Sequence, residues 1–308
     1  MPQIKLVALK SSVPMGFMAA LGTFRHAHDM AELGVVKLGW TSMGGLWCAV
    51  LDTSNEVSAD QLVRLFVERL KLSVERPEFS WSKAVKNALK EGLRREAGRA
   101  LGDATADNHQ LADWFQAFAS ELAHDKEDLL ESTPFDMTVA RQLFLADAEW
   151  LTKNLAEPDK KHGDSVNAES FREALFGPWK YADNQHSLGW DPPTILMGAF
   201  TPKAPTSMNK AGVRAAVWLA MESLPFFPCF FDGGLATCGF KKKGGRHNLH
   251  WAVWETPLSF AAVRTLLAQT PGIGEDQKVG RGLCALYSSA VYKPNKYLTS
   301  FQPAVLKA

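Results

Sequence analysis

The strongest constraint on the fold is a change of texture at two points along the chain. Residues 56–155 hold few glycines and are rich in Ala, Leu, Glu, Lys and Arg, whereas the sequence on either side is punctuated by Gly and Pro. Straight-chain side chains lose little rotamer freedom in a helix, so the middle block should be helical. Short apolar runs between turn residues favour strands on both flanks. The spacing predicts helices near 58–71, 80–100, 109–124 and 136–155. Ser58 is the expected N-cap of the first, and Asp107 or Asn108 of the third. Pro77 and Pro134 separate them, and the polar stretch 157–165 is the best linker candidate.

On the N-terminal side, residues 3–9 read as a strand. Pro14 then opens a helix from Met15 to about His26, with Phe17, Met18, Leu21 and Phe24 near the helical period. Residues 35–40 and 46–51 read as two further strands. That order, β-α-β-β, is half of a ferredoxin-like unit. Beyond residue 176 the expected elements are a strand at 195–200, a helix at 209–223, strands at 226–231 and 235–240, a helix at 258–268 after Pro257, and a late strand at 283–287. The same β-α-β-β order recurs there. The fold class expected is α+β: two small α/β halves, for which a ferredoxin-like arrangement is one candidate, with a helical insertion between them. The corresponding segments are 1–55, 56–170 and 171–308.

Charge is unevenly shared between these segments. From Gly239 onward there are ten Lys and Arg against three acids, while the preceding 238 residues hold 24 basic and 30 acidic side chains, for an overall charge of +1. The near-neutral total argues against indiscriminate polyanion binding, and the basic end suits a single anion-binding region. Much of the surplus sits in Lys241-Lys242-Lys243-Gly244-Gly245-Arg246-His247. Gly244-Gly245 reads as a two-residue hairpin turn, because glycine accepts the positive φ such turns require. That register sets Lys243 opposite Arg246, Lys242 opposite His247 and Phe240 opposite Leu249. Like charges facing across a ladder repel by a few tenths to roughly 1 kcal/mol. A sequence tolerates this more readily if an anion binds there; the competing explanation is a solvated tip carrying lysines for edge protection. Lys293 and Lys296 extend the candidate track.

Other chemistry is weaker. His26, His28 and Asp29 invite comparison with metal-hydrolase clusters, but on a helix two residues two apart project about 200° from each other. His109, His124, His162 and His186 are scattered singly, and surface histidines at a helix end are the simpler account. Glu222, near the end of an apolar helix, reads as a solvated or capping carboxylate, with a catalytic acid as the alternative. Neither Lys241–Arg246 nor Val279-Gly280-Arg281-Gly282 matches a phosphate-binding loop or dinucleotide fingerprint. Trp179, Trp190, Trp218, Trp251 and Trp254 could stack on bases, but apolar neighbours favour core packing for each. No catalytic residue, metal or cofactor is expected. The four cysteines (Cys48, Cys229, Cys238, Cys284) form no CxxC pair and read as free thiols in a reducing compartment. The start of the chain lacks a leader pattern and no apolar run is long enough for a bilayer, so a cytoplasmic protein without membrane contact is expected.

Three stretches carry a resemblance: Val13 to Gly22, with its Pro-Met-Gly-Phe-Met-Ala-Ala-Leu-Gly; Gly177-Pro178-Trp179 with Leu188-Gly189-Trp190-Asp191-Pro192; and the helix running into Leu224-Pro225-Phe226-Phe227-Pro228. Together they resemble proteins encoded with CRISPR systems of subtype I-G (formerly I-U), including accessory and large-subunit-like components. The resemblance implies a non-catalytic subunit of an RNA-guided, Cascade-type surveillance complex that contacts guide RNA and target DNA beside other effector subunits. Lys241, Lys242, Lys243, Arg246 and His247, with Lys293 and Lys296, would then hold phosphates. Two alternatives stay open: a divalent-metal-dependent nuclease or hydrolase using His26, His28, Asp29 or Glu222, and an adaptor whose basic end docks an acidic protein.

Overall fold

A computed structural model describes residues 1–79, 102, 109–124, 130–138, 143–157, 165–184, 188–192, 211–295 and 298–307. The helix expected at 80–100, the caps Asp107 and Asn108, most of the linker, the strand at 195–200, His162, His186 and Lys296 lie outside these residues. The chain is α+β.

The N-terminal unit forms as expected: β1 (Gln3–Lys10), α1 (Pro14–His28), β2 (Val36–Met43) and β3 (Leu46–Thr53). Both sheet pairings are antiparallel and the strand order is β1-β3-β2, so β1 and β2 run parallel with β3 between them. α1 is buried on nearly every side. Its Gly22 is needed for that: a Cβ there would sit 1.7 Å from the Leu219 carbonyl oxygen of a second helix.

The insertion contributes α2 (Ala59–Leu72), α3 (Gln110–Phe118), α4 (Phe144–Ala156) and α5 (Ser165–Phe176). Ser58 caps α2 as expected and forms a capping box with Gln61: Gln61 N donates to Ser58 Oγ (3.2 Å) and Ser58 N to Gln61 Oε1 (2.8 Å). Two helices are shorter than their pattern suggests. α3 stops at Phe118 because the chain turns back, with Thr133 N donating to the Phe118 carbonyl and Glu131 N to that of Ala123. At 136–138 Asp136 Oδ1 accepts from Thr138 N (3.1 Å), a local bond that competes with helix.

The C-terminal unit begins with a short pair, β4 (Asp183–Asn184) with β5 (Ala211–Gly212), and then α6 (Arg214–Glu222). The helix expected from 209 starts later because Asp183 intervenes: its carboxylate accepts from Arg214 N (2.8 Å) and Arg214 Nε (2.8 Å). Next come the ribbon β6 (Cys229–Phe231) with β7 (Leu235–Thr237), the hairpin β8 (Phe240–Lys243) with β9 (Arg246–Trp254), α7 (Phe260–Gln269), β10 (Leu283–Asn295), β11 (Leu298–Phe301) and β12 (Val305–Leu306). Gly239 (φ 80°) breaks the strand expected to run from 235 to 240. The sheet runs β11-β10-β9-β8, with β12 also on β10. Among the described residues, β8 to β11 are each joined to their sequence neighbour in the sheet, unlike β1 and β2, which have β3 between them.

Aromatic contacts stitch the two units together. Phe17 of α1 stacks on Trp40 (5.7 Å between centroids) and on Trp251 (5.5 Å). Trp251 Nε1 donates to the Ser11 carbonyl and Trp254 Nε1 to that of Leu38, each at 2.8 Å. A Leu38–Leu258 bridge joins β2 to the segment after β9. Trp190, Trp218, Trp251 and Trp254 are buried, as core packing requires, and Trp179 is half-buried. Buried apolar residues from Ile4 to Phe301 form one contiguous cluster fed by all three segments. Among the described residues no helix is long and apolar enough to cross a membrane.

Candidate nucleic-acid interface and a buried charge cluster

The hairpin folds in the register read from its Gly-Gly turn. Gly244 and Gly245 take φ of 56° and 76°, the positive pair a type I′ turn needs. The partners are Lys243 with Arg246, Lys242 with His247, Lys241 with Asn248 and Phe240 with Leu249. Leu249 and Trp251 face the core, and Phe240 packs edge-on to Phe135 (4.9 Å). Residues alternate across a ladder, so Lys241, Lys243, Arg246, Asn248 and His250 share the outer face, and Lys242 and His247 lie on the other.

Lys241, Lys242, Lys243 and Arg246 are all exposed. None forms an ion pair with an acid among the described residues. Their field is felt nearby. His250 is pushed down to about 4, by burial first and then by Lys307, Lys241 and Lys243. Lys307 is lowered as well, again by burial, then by Lys241 and Lys243, with Glu275 opposing. His247 is half-buried and lowered by burial and by Lys242, while Glu131 pulls the other way. Lys293 stands exposed on β10, beyond the last β9–β10 pair, Ala290 with Asn248. The lysine run is visible in the sequence; His250 and Lys307 are not, since they reach the same field from β9 and from the end of the chain.

A second concentration of charge lies under α1. Glu222 is fully buried, which corrects its reading as a solvated or capping residue. Arg25 Nη1 donates to Glu222 Oε2 at 3.0 Å, Arg76 Nη1 to Oε1 at 2.7 Å, and His26 Nε2 to Oε2 at 2.9 Å. An ionised carboxylate only accepts, so His26 is the donor in this pair. Burial favours the neutral acid, but Arg76, His26 and Arg25 outweigh it and hold Glu222 at about 2. Burial pushes His26 down, against the pull of Glu222, so the imidazole is neutral near pH 7. His26 also stacks on Trp218 (5.1 Å) one turn before Glu222. Arg76 lies over Trp114 (4.6 Å) and Phe79 (4.9 Å), and Arg25 over the same Trp114 (5.3 Å). Arg76 Nε sits 3.1 Å from Glu78 Oε1, off the line of the N–H, making an ion pair without a directed bond. Burial raises Glu78. A cavity of about 190 Å³ opens beside this cluster.

His26 is therefore a buried residue, not a surface histidine. His28, two residues on, faces away and stacks on Phe260 (4.7 Å), and the Asp29 carbonyl accepts from Arg69 Nη2. The helix thus separates the two histidines that a metal-hydrolase reading would join, while Asp29 lines the same cavity as His26. Nothing local marks Arg25 and Arg76 as members of a cluster; the one signal in the sequence is a carboxylate four residues after Trp218 in an otherwise apolar helix. The cysteines are free, and burial raises Cys229 and Cys238 to about 11 each.

No protein-family model matches the chain, and no curated protein or solved structure matches it either.

Proposed function

We propose that this chain binds the phosphate backbone of nucleic acid through the β8–β9 hairpin, as a non-catalytic subunit of an RNA-guided CRISPR surveillance complex. The observation that carries the binding reading is the hairpin itself: four exposed cations on a short ribbon, without an acidic partner among the described residues. Like charges placed opposite each other have an unfavourable energy that a bound polyanion reverses. Such groups position a backbone without reading its sequence. Guide RNA and target DNA as the polyanions, and other effector subunits as neighbours, rest on the sequence resemblance.

The hydrolase alternative gains no support from Glu222, since both of its oxygens already accept bonds from Arg25, Arg76 and His26. The test is the salt dependence of binding to a DNA duplex and to a guide-type RNA. Alanine at Lys241, Lys242, Lys243 and Arg246 should weaken binding almost uniformly across sequences. It should also flatten the duplex log–log salt slope by up to about 0.9 for each phosphate that is no longer neutralised. An unchanged slope removes the hairpin from the interface. A wild-type protein that retains no nucleic acid at moderate salt favours an acidic protein as partner.

A further inference from the structure

The outer face of the C-terminal sheet carries more than cations. On β9 and β10, Asn248 pairs with Ala290 and His250 with Ser288. Side chains directly opposite share a face, so Ser288 and Ala290 join Lys241, Lys243, Arg246, Asn248 and His250 on the outside. Continuing the alternation along β10, Val291 turns inward against the core and Tyr292 turns outward, with 38% of its surface exposed. Tyr292 follows two residues past Asn248–Ala290, the last β9–β10 pair, at the same end of the sheet as the hairpin turn. The face is thus a floor of short side chains (Ser288, Ala290, Asn248) with an aromatic ring at one end and cations along the hairpin side.

Each part has a chemical use. An exposed tyrosine on a strand offers a flat ring that any base can stack on, and neighbouring cations hold the strand's phosphates. Short side chains on the floor leave room for bases to lie against the sheet. A duplex hides its base faces in the stack and could use only the cations. Among the described residues the other large exposed aromatics, Phe230, Phe231 and Trp150, belong to β6 and to α4.

We propose that this sheet face binds single-stranded nucleic acid, with an unpaired base stacked on Tyr292 and its backbone held by Lys241, Lys243 and Arg246. The inference rests on the nucleic-acid reading above and narrows it from polyanion to unpaired strand.

The experiment compares four proteins, wild type, Tyr292→Ala, Tyr292→Phe and the quadruple hairpin alanine variant, by fluorescence anisotropy. The labelled ligands are a mixed-sequence single strand, the same strand with abasic sites throughout, and the matching duplex. Wild type should prefer the base-bearing strand over the abasic one. Tyr292→Ala should lose roughly 5-fold or more of its affinity for the base-bearing strand, with abasic and duplex binding unchanged. Tyr292→Phe should restore the preference, which a merely structural loss would not require. The hairpin variant should weaken all three ligands. If Tyr292→Ala weakens the base-bearing and abasic strands equally, or neither, the stacking inference is overturned while the backbone reading stands. If wild type binds none of the ligands, both fall.

Discussion

The cluster around Glu222 and the β8–β9 hairpin both gather positive charge and use it in opposite ways. Around Glu222, Arg25, Arg76 and His26 converge on one fully buried carboxylate, and both of its oxygens are bonded. On the hairpin, four cations face solvent and form no ion pair with an acid among the described residues. Poorly screened charges interact strongly, so the first set ties α1, α6 and the turn after α2 into one unit. Exposed charges in water contribute little to folding. The cations of the cluster are consumed by the fold; those of the hairpin are left for a partner.

The largest effect should come from breaking the buried set. Glu222→Ala strands two arginines without their carboxylate, and losing one member of a buried pair costs about 3–5 kcal/mol. Urea unfolding should show this as a drop in midpoint with little change in slope. A midpoint within error of wild type would mean that water reaches the cluster freely, and the contrast with the hairpin would disappear.

The same carboxylate makes an acid-side prediction. Glu222 falls from its ordinary 4.5 to about 2 in the folded chain. Its contribution is therefore complete above about pH 4.5 and lost as pH drops towards 2. Asp191 works in the opposite sense. Burial, opposed by the neighbouring Tyr181 hydroxyl, raises it from 3.8 to about 7, so its contribution is complete below pH 3.8 and lost as pH rises through 7. Stability measured from pH 2 to 8 should fall at both ends. Asp191→Asn should remove the loss between pH 4 and 7 and leave the acid-side loss in place. If the neutral-side slope survives that substitution, some other group sets it.

A smaller effect should follow from parting the helices that carry the cluster. At Gly22 an added Cβ meets the Leu219 carbonyl oxygen at 1.7 Å and its carbon at 2.8 Å. Both are backbone atoms, so α1 must move away from α6, taking Arg25 and His26 from Glu222. Overpacking of this kind costs about 1–3 kcal/mol. Combined with Glu222→Ala, the double variant should lose less than the sum of the two single losses, because the second change removes what the first disturbs. Full additivity in a double-mutant cycle would show that Gly22 serves helix packing alone.

These regions also differ in how far the sequence announces them. The hairpin is local: two glycines set the turn and alternation sets every face, so its register follows from about ten consecutive residues. The N-terminal β-α-β-β unit and the α2 cap are legible for the same reason. The Glu222 cluster is assembled from partners 146, 196 and 197 residues away, and no pattern within a helix reveals which distant arginine will meet its carboxylate. The helix ends at 118 and 143–144 depart from the sequence pattern for a related reason. Thr133 and Asp136 supply competing hydrogen bonds, and a propensity argument weighs only the helix. The strand order of the C-terminal sheet likewise depends on pairings that element order does not encode.

The smallest effect is the one that most sharply separates the two regions. Lys243 faces Arg246 across the ladder, and such a pair costs a few tenths to about 1 kcal/mol. Lys243→Ala should therefore stabilise the free protein slightly while weakening its hold on nucleic acid. The gain should shrink as salt rises, because exposed charges are screened over about 10 Å at 0.1 M ionic strength. Thermal melts at low and high salt, paired with binding measurements, read both quantities from one variant. A residue kept for folding would lose stability when truncated, as Glu222 should. A residue kept for a partner gains stability and loses affinity, and the opposite signs would mark this hairpin as held in a repulsive arrangement for what it binds. If Lys243→Ala instead lowers the melting temperature at every salt concentration, the lysine is bonded within its own molecule and the hairpin belongs with the buried cluster.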